Sequence, residues 1–202
     1  MLSVCCATSG SAFASNTYII GSDGEYAVID PSAEYSPRYL CGGKLKYIFL
    51  THAHFDHMLN IDSWAEATGA TVYVSHGDKD ALRDSYRNCY QLFCGRDCGY
   101  FGDVSVMRGG DCFHLGSEVI SVIETPGHTH GSVILLHSDS AFVGDTVFEG
   151  GGYGRWDLPG GNYEQLKGSI KAIMALDDGL ALYPGHGGPT TVADFKKYVH
   201  LR

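Results

Sequence analysis

Three histidines and an aspartate fall within the six residues His52-Ala53-His54-Phe55-Asp56-His57, directly after the apolar run Tyr47-Ile48-Phe49-Leu50. Such a density of imidazole and carboxylate is the composition of a metal site rather than of a packed core. Side chains two apart on a strand share a face, so His52 and His54 can grip one ion while the turning chain delivers Asp56 and His57 to a second.

Further along, isolated ligand-type residues recur after strand-like runs: His128 in Pro126-Gly127-His128-Thr129-His130-Gly131, Asp145 in Gly144-Asp145-Thr146, and His186 in Gly185-His186-Gly187. The natural partition gives one ion His52, His54 and His128 and the other Asp56, His57 and His186, with Asp145 bridging them. Imidazoles with a few hard carboxylates suit zinc, with iron or manganese as alternatives. Two such ions activate water at neutral pH and polarise a carbonyl or phosphoryl oxygen, which points to hydrolysis. His76, His114, His137 and His200 have no partner at ligand spacing and read as surface or turn residues. Asp30, before Pro31, reads either as a turn residue or as a hydrogen-bond partner for a ligand histidine.

The elements that must position these residues are legible in outline. Ser15–Ile20 and Glu25–Asp30 flank a glycine turn as a hairpin, Leu45–Leu50 is a buried strand, 60–68 has helical spacing closed by Gly69, and Thr71–Val74 is a short strand. The spacing predicts a helix over 78–93, then an irregular stretch over 94–110. The aromatic residues there, Tyr86, Tyr90, Phe93, Tyr100 and Phe101, either line a pocket or cover the core. Phe113–Gly116 with Val119–Ile123 reads as a hairpin, Val133–His137, Ser140–Val143 and Leu180–Tyr183 as strands, and 163–176 as an amphipathic helix.

With 202 residues and 44% hydrophobic content, the chain suits one domain over 1–202. Its 14 basic against 23 acidic residues give a net charge of -9 with no cationic cluster, which argues against a nucleic-acid partner. Nothing reads as a signal peptide or a membrane span, and the seven cysteines form no regular framework. A cytoplasmic protein with reduced thiols is expected, the Cys94/Cys98 pair being packing residues.

At the ligand motifs the chain resembles the metallo-β-lactamase-fold hydrolases, and within them the compact glyoxalase II-like, or hydroxyacylglutathione hydrolase-like, enzymes. The His-x-His-x-Asp-His motif stands at 52–57, Gly-His-Thr-x-Gly at 127–131, Gly-Asp-Thr at 144–146 and the late Gly-His at 185–186. Gly154-Arg155-Trp156-Asp157-Leu158-Pro159-Gly160-Gly161-Asn162 is similar to the Gly-Arg-x-Asp-Leu-Pro-Gly-Gly-Asp loop of the compact subgroup. The resemblance implies an α/β (α+β) four-layer αββα sandwich, a centre of two divalent ions, and hydrolysis of a small-molecule thioester such as a hydroxyacylglutathione. In that chemistry a bridging hydroxide attacks the carbonyl while Asp56 orients it or takes its proton. Arg155, Tyr153 and His130 are the expected substrate contacts. Ser132 stands where many relatives have histidine, Asn162 replaces aspartate, and the C-terminal helical domain of the long enzymes is missing. A persulfide dioxygenase using one iron on His52, His128 and Asp145, or a lactone or lactam hydrolase on the same centre, are the alternatives.

Overall fold

The computed structural model describes residues 1–201. Twelve strands and four α-helices follow one another as β1 (Ser3–Thr8), β2 (Asn16–Ser22), β3 (Glu25–Ile29), β4 (Lys44–Phe49), α1 (Ile61–Thr68), β5 (Thr71–Ser75), α2 (Tyr90–Cys94), β6 (Ser105–Met107), β7 (Cys112–Leu115), β8 (Glu118–Glu124), β9 (Val133–Leu136), β10 (Ser140–Gly144), α3 (Tyr163–Met174), β11 (Ala181–Pro184), β12 (Thr190–Thr191) and α4 (Val192–Tyr198). They form two six-stranded sheets, ordered β1-β2-β3-β4-β5-β6 and β12-β11-β10-β9-β8-β7. Each sheet is mixed: β3, β4, β5 and β6 run parallel, as do β10 and β11, and the other pairs are antiparallel.

Alternation along the strands sorts the apolar side chains into three cores. Ile20, Ile29 and Phe49 from one sheet meet Leu115, Val122 and Phe142 from the other in the middle layer. Ile48 and Val72 face outward onto Ile61 and Trp64 of α1, while Val143 and Leu182 face Leu166 and Ile170 of α3 and Phe195 of α4. Helix, sheet, sheet, helix is thus the layer order, the αββα sandwich expected from the motifs. The carboxyl ends of β4 and β10, from different sheets, open onto the same edge, and their loops carry His52 and Asp145.

Several elements differ from the expectation. The helix expected over 78–93 is instead a 3-10 turn at Lys79–Arg83 and the short α2, with turns between. Asp84 Oδ1 accepts from the backbone N–H of Tyr86 and Arg87, and Asn88 Oδ1 accepts from Tyr90 N, so polar side chains compete with the helical ladder. Cys89, at φ 67, then breaks it. Four elements were not expected: β1 and β6, which are the outer strands of one sheet, and β12 and α4 beyond His186. His137 is not a surface residue: its ring is buried and bonded to Glu118 Oε2 at 2.7 Å and Asp139 Oδ1 at 2.9 Å. His76, His114 and His200 are exposed, as expected, and the cysteines are free. No helix among the described residues is long and apolar enough to cross a membrane.

Candidate metal centre

His52, His54, Asp56 and His57 all follow β4, the last two in a 3-10 turn over Phe55–His57. The backbone of this segment is tied down at both sides: Phe55 N donates to Asn88 O at 2.9 Å, and Val133 N donates to Thr51 O at 2.9 Å. His128 follows β8, Asp145 follows β10 and His186 follows β11. The ligand-type atoms fall into three groups, each within 4.8 Å: His52, His54 and His128; His52, His57 and Asp145; and Asp56, His57 and His186. The seven side chains from both halves of the chain are therefore one continuous cluster. Asp145 lies between them: Oδ1 is 3.3 Å from His57 Nε2, and Oδ2 is 3.7 Å from His128 Nε2 and 3.6 Å from His186 Nε2.

Hydrogen bonds on the far side of each ring fix which nitrogen faces the cluster. His57 Nδ1 donates to Asp30 Oδ2 at 2.9 Å, and His128 Nδ1 donates to the Arg155 carbonyl at 2.7 Å. Thr51 Oγ1 gives its proton to Asp30 Oδ2 at 2.7 Å, so it accepts from His52 Nδ1 at 3.1 Å. Each Nε2 is thereby left as a lone pair aimed inward. Of the two readings of Asp30, the hydrogen-bond partner is the one observed.

These residues fit metal ions. The Nε2 atoms of His52 and His128 face each other at 3.2 Å. Two lone pairs repel at that distance, whereas tetrahedral coordination with Zn–N of 2.0–2.1 Å sets ligand nitrogens about 3.3 Å apart. His54 Nε2, His57 Nε2 and Asp145 Oδ1 are buried without a hydrogen-bond partner, which costs free energy unless a cation satisfies them. Gly185 belongs to the same cradle, since a Cβ there would strike Asp145 Oδ1 and His57 Cε1.

The electrostatics follow from burial and crowding. Burial holds His52 well below its ordinary value and pushes His54 down to about 3, leaving both neutral at pH 7. Without an ion, burial alone would raise Asp145 and lower His57, but the charge of His57 drives the Asp145 carboxyl down, and Asp30, with Asp145 adding to it, drives the His57 imidazole up, so that a proton on Nε2 takes the lone pair an ion would use. Asp56 Oδ2 accepts from His186 Nε2 at 3.1 Å. Against burial, which opposes it, the charge of His57 and that hydrogen bond keep Asp56 below the ordinary carboxylate range. The bond to Asp56 raises His186.

His54, Asp56, His128, Asp145 and His186 of the cluster form the floor of a cavity of about 440 Å³ whose walls include Phe13, Phe55, Phe93, Tyr153, Arg155 and Leu158. Tyr153 and Arg155, two of the expected substrate contacts, thus border it. The Arg155 guanidinium is exposed, with Nε and Nη2 donating to Asp157 at 2.9 and 2.8 Å. His130 is exposed and lines two other hollows on the far side of its loop.

Asp78 was not singled out from sequence. It is buried, and its carboxylate accepts from Ala53 N at 2.9 Å, Thr129 Oγ1 at 2.7 Å and Gly131 N at 2.8 Å. One side chain thereby ties the 52–57 segment to the His128 loop. Ser132, where many relatives have histidine, is buried, and its Oγ accepts from Thr129 N at 3.1 Å inside the same loop. Gly127, at φ +131, lies against α3 so closely that a Cβ would strike the Leu166 backbone. Asn162, in place of the subgroup's aspartate, caps α3 by accepting from Gln165 N at 3.0 Å, a role both residue types fill.

Two facing mixed sheets flanked by helices, with a histidine and aspartate cluster able to bind metal at their shared edge, define a metallo-hydrolase architecture. Residues 10–186 match the metallo-beta-lactamase superfamily, and the chain belongs to it. The chain is 32% identical over 191 residues to the probable metallo-hydrolase YqgX of Bacillus subtilis (strain 168), covering 88% of this chain and 87% of that protein. It is 30% identical over 197 residues to the hydroxyacylglutathione hydrolase GloC of Haemophilus influenzae, covering 93% of this chain and 92% of that one. Among solved structures, it superposes on the BLEG-1 B3 metallo-beta-lactamase with a TM-score of 0.87 at 27% identity, over 100% of this chain and 98% of that chain. The TM-score is 0.82 at 27% identity for TTHA1623 in a di-iron-bound form, over 96% of this chain and 98% of that one. For ETHE1 from Myxococcus xanthus it is 0.75 at 29% identity, over 96% and 82%.

Proposed function

We propose that this chain is a dinuclear metal-dependent thioesterase of the glyoxalase II-like kind, acting on a small-molecule acyl thioester. The observation that carries this reading is the convergence of seven ligand-type side chains in one cluster, five of which, His54, Asp56, His128, Asp145 and His186, line a single cavity. His52, His54 and His128 would hold one ion and Asp56, His57 and His186 the other, with Asp145 touching both. Zinc is the first expectation from the donor set and iron or manganese the alternatives; bound there, the ions supply Lewis acidity toward a carbonyl oxygen and acidify water at neutral pH. The di-iron form of TTHA1623 and the hydroxyacylglutathione hydrolase activity in GloC's name support a paired centre and a thioester substrate.

The residues of this chain then have distinct tasks. Asp56 is anionic at neutral pH and borders the cavity, so its carboxylate orients the attacking water and accepts its proton. Asp30 and the Arg155 carbonyl hold His57 and His128 with Nε2 inward. Tyr153 and Arg155 contact the substrate from the wall, and His130 lies outside that wall. Hydrolysis breaks the C–S bond, forms a C–O bond from water and releases a thiol, a better leaving group than an alcohol because it is more acidic.

A second reading, a persulfide dioxygenase on a single iron, has its own support in the nearness of His52, His128 and Asp145, whose facing atoms lie 3.2 and 3.7 Å apart along the chain of contacts. Metal-loaded protein given a hydroxyacylglutathione should release free thiol at a rate proportional to enzyme. Oxygen uptake with glutathione persulfide, in the absence of thiol release from the thioester, would replace the thioesterase with the dioxygenase.

A further inference from the structure

The cavity above the metal cluster is walled on one side by aromatic rings. The Phe55 ring, within the ligand segment itself, lies 5.8 Å from Phe13, 6.1 Å from Phe93 and 5.1 Å from Tyr90, and Phe13 and Phe93 are 6.3 Å apart. Phe13 and Phe93 keep 46% and 44% of their surfaces exposed at this wall. Leu158 also borders the cavity. Large exposed rings grouped at the wall of a concave site are the composition of a surface that receives an apolar group.

The charges point the same way. Among the described residues bordering the cavity, Arg155 is the one lysine or arginine, and its Nε and Nη2 donate to Asp157. A glutathione thioester brings two carboxylates, and for these the described wall offers one guanidinium, already paired with Asp157.

Resting on the thioesterase reading, we propose that the substrate is an acyl thioester whose acyl group is aryl or branched alkyl and whose thiol carries no carboxylate, with Phe13 and Phe93 as the residues that set this specificity. Water is the only co-reactant: the products are the apolar carboxylic acid and the free thiol. Burial of one ring against the aromatic wall raises kcat/KM by about tenfold or more over an acetyl group.

The test compares metal-loaded wild type with Phe93→Ala and Phe13→Ala, both at half-exposed positions outside the three cores. Thiol release is followed from acetyl and phenylacetyl thioesters of N-acetylcysteamine, and from phenylacetylglutathione. The expected result is a phenylacetyl-to-acetyl ratio of kcat/KM near ten or above in wild type that collapses toward one in either variant, with phenylacetylglutathione no better than its N-acetylcysteamine counterpart. A wild-type ratio near one, or a hundredfold advantage for the glutathione thioester, overturns the proposal. Calorimetric titration of the same proteins with phenylacetate and acetate separates the two levels. Preferential phenylacetate binding lost in Phe93→Ala, with no thioester turned over, defeats the thioesterase reading and leaves the aromatic pocket standing; equal binding of the two acids defeats the pocket.

Discussion

Replacing Asp30 by asparagine tests how the fold sets the imidazoles of the cluster. Asp30 is 2% exposed and its carboxylate accepts three hydrogen bonds, from Thr51 N at 2.8 Å, Thr51 Oγ1 at 2.7 Å and His57 Nδ1 at 2.9 Å. Its φ of 52 lies in the left-handed region, which asparagine tolerates, so the backbone has no reason to move. The amide oxygen can keep Thr51 N, but the amide nitrogen then faces the other two partners as a donor. His57 Nδ1 must accept instead of donate, and the ring proton shifts to Nε2, the atom aimed at the cluster. Losing such a supporting carboxylate weakens metal binding by about 10- to 100-fold, or about 1.4–2.7 kcal/mol. Thr51 Oγ1 also holds His52, so the His52, His54 and His128 group weakens too, by less. Competition against a fluorescent chelator reads the two affinities separately. Folded Asp30→Asn that kept both ions at wild-type affinity would refute the claim that Asp30 sets the tautomer of His57.

Three further outcomes follow from the same geometry. Asp78→Ala leaves the buried Ala53 and Gly131 N–H groups without their acceptor and should cost about 3–5 kcal/mol, read from urea unfolding; an unchanged midpoint contradicts the clamp. In chelator-treated protein, His54 has a folded value of about 3 against an ordinary 6.5, so its contribution to stability is complete above pH 6.5 and is lost as pH falls toward 3. Urea midpoints at pH 7 and pH 5 should therefore drop less in His54→Gln than in wild type, and equal drops would be wrong for this account. The Cys89 thiol, raised to about 11 by burial, should resist iodoacetamide at pH 8 while the exposed Cys5 and Cys112 react, which mass spectrometry of the modified peptides checks.

The ligand cluster was legible in the sequence because its information is local: four of the seven residues lie within one turn after an apolar strand, and the rest repeat the same strand-then-ligand pattern. Asp30 was legible as one of two readings, since a residue before proline carries both. Asp78 left no signal, because its three partners lie 25, 51 and 53 residues away and nothing in its neighbourhood marks it. The 78–93 segment has helical spacing, yet Asp84 and Asn88 satisfy the backbone with their own side chains, a choice that periodicity does not reveal. His137 looked like a turn histidine, and only the pairing of β7, β8 and β9 brings Glu118 to its ring. The aromatic residues of 86–101 divide between both expected uses: Tyr100 is buried in the core, Phe93 borders the cavity, and Tyr86 and Phe101 are exposed.

In the proposed thioesterase, Asp145 joins two metal sites into one hydrolytic centre. It is tested most directly by metal stoichiometry and thioester turnover of Asp145→Ala beside His57→Ala, with circular dichroism to establish folding. Asp145→Ala removes a carboxylate that lies 3.3 Å from His57 and 3.6–3.7 Å from His186 and His128, so it should fold, bind less metal at both sites and lose nearly all hydrolysis. His57→Ala should weaken mainly one ion. Folded Asp145→Ala that retained two metals and near-native turnover would contradict the account.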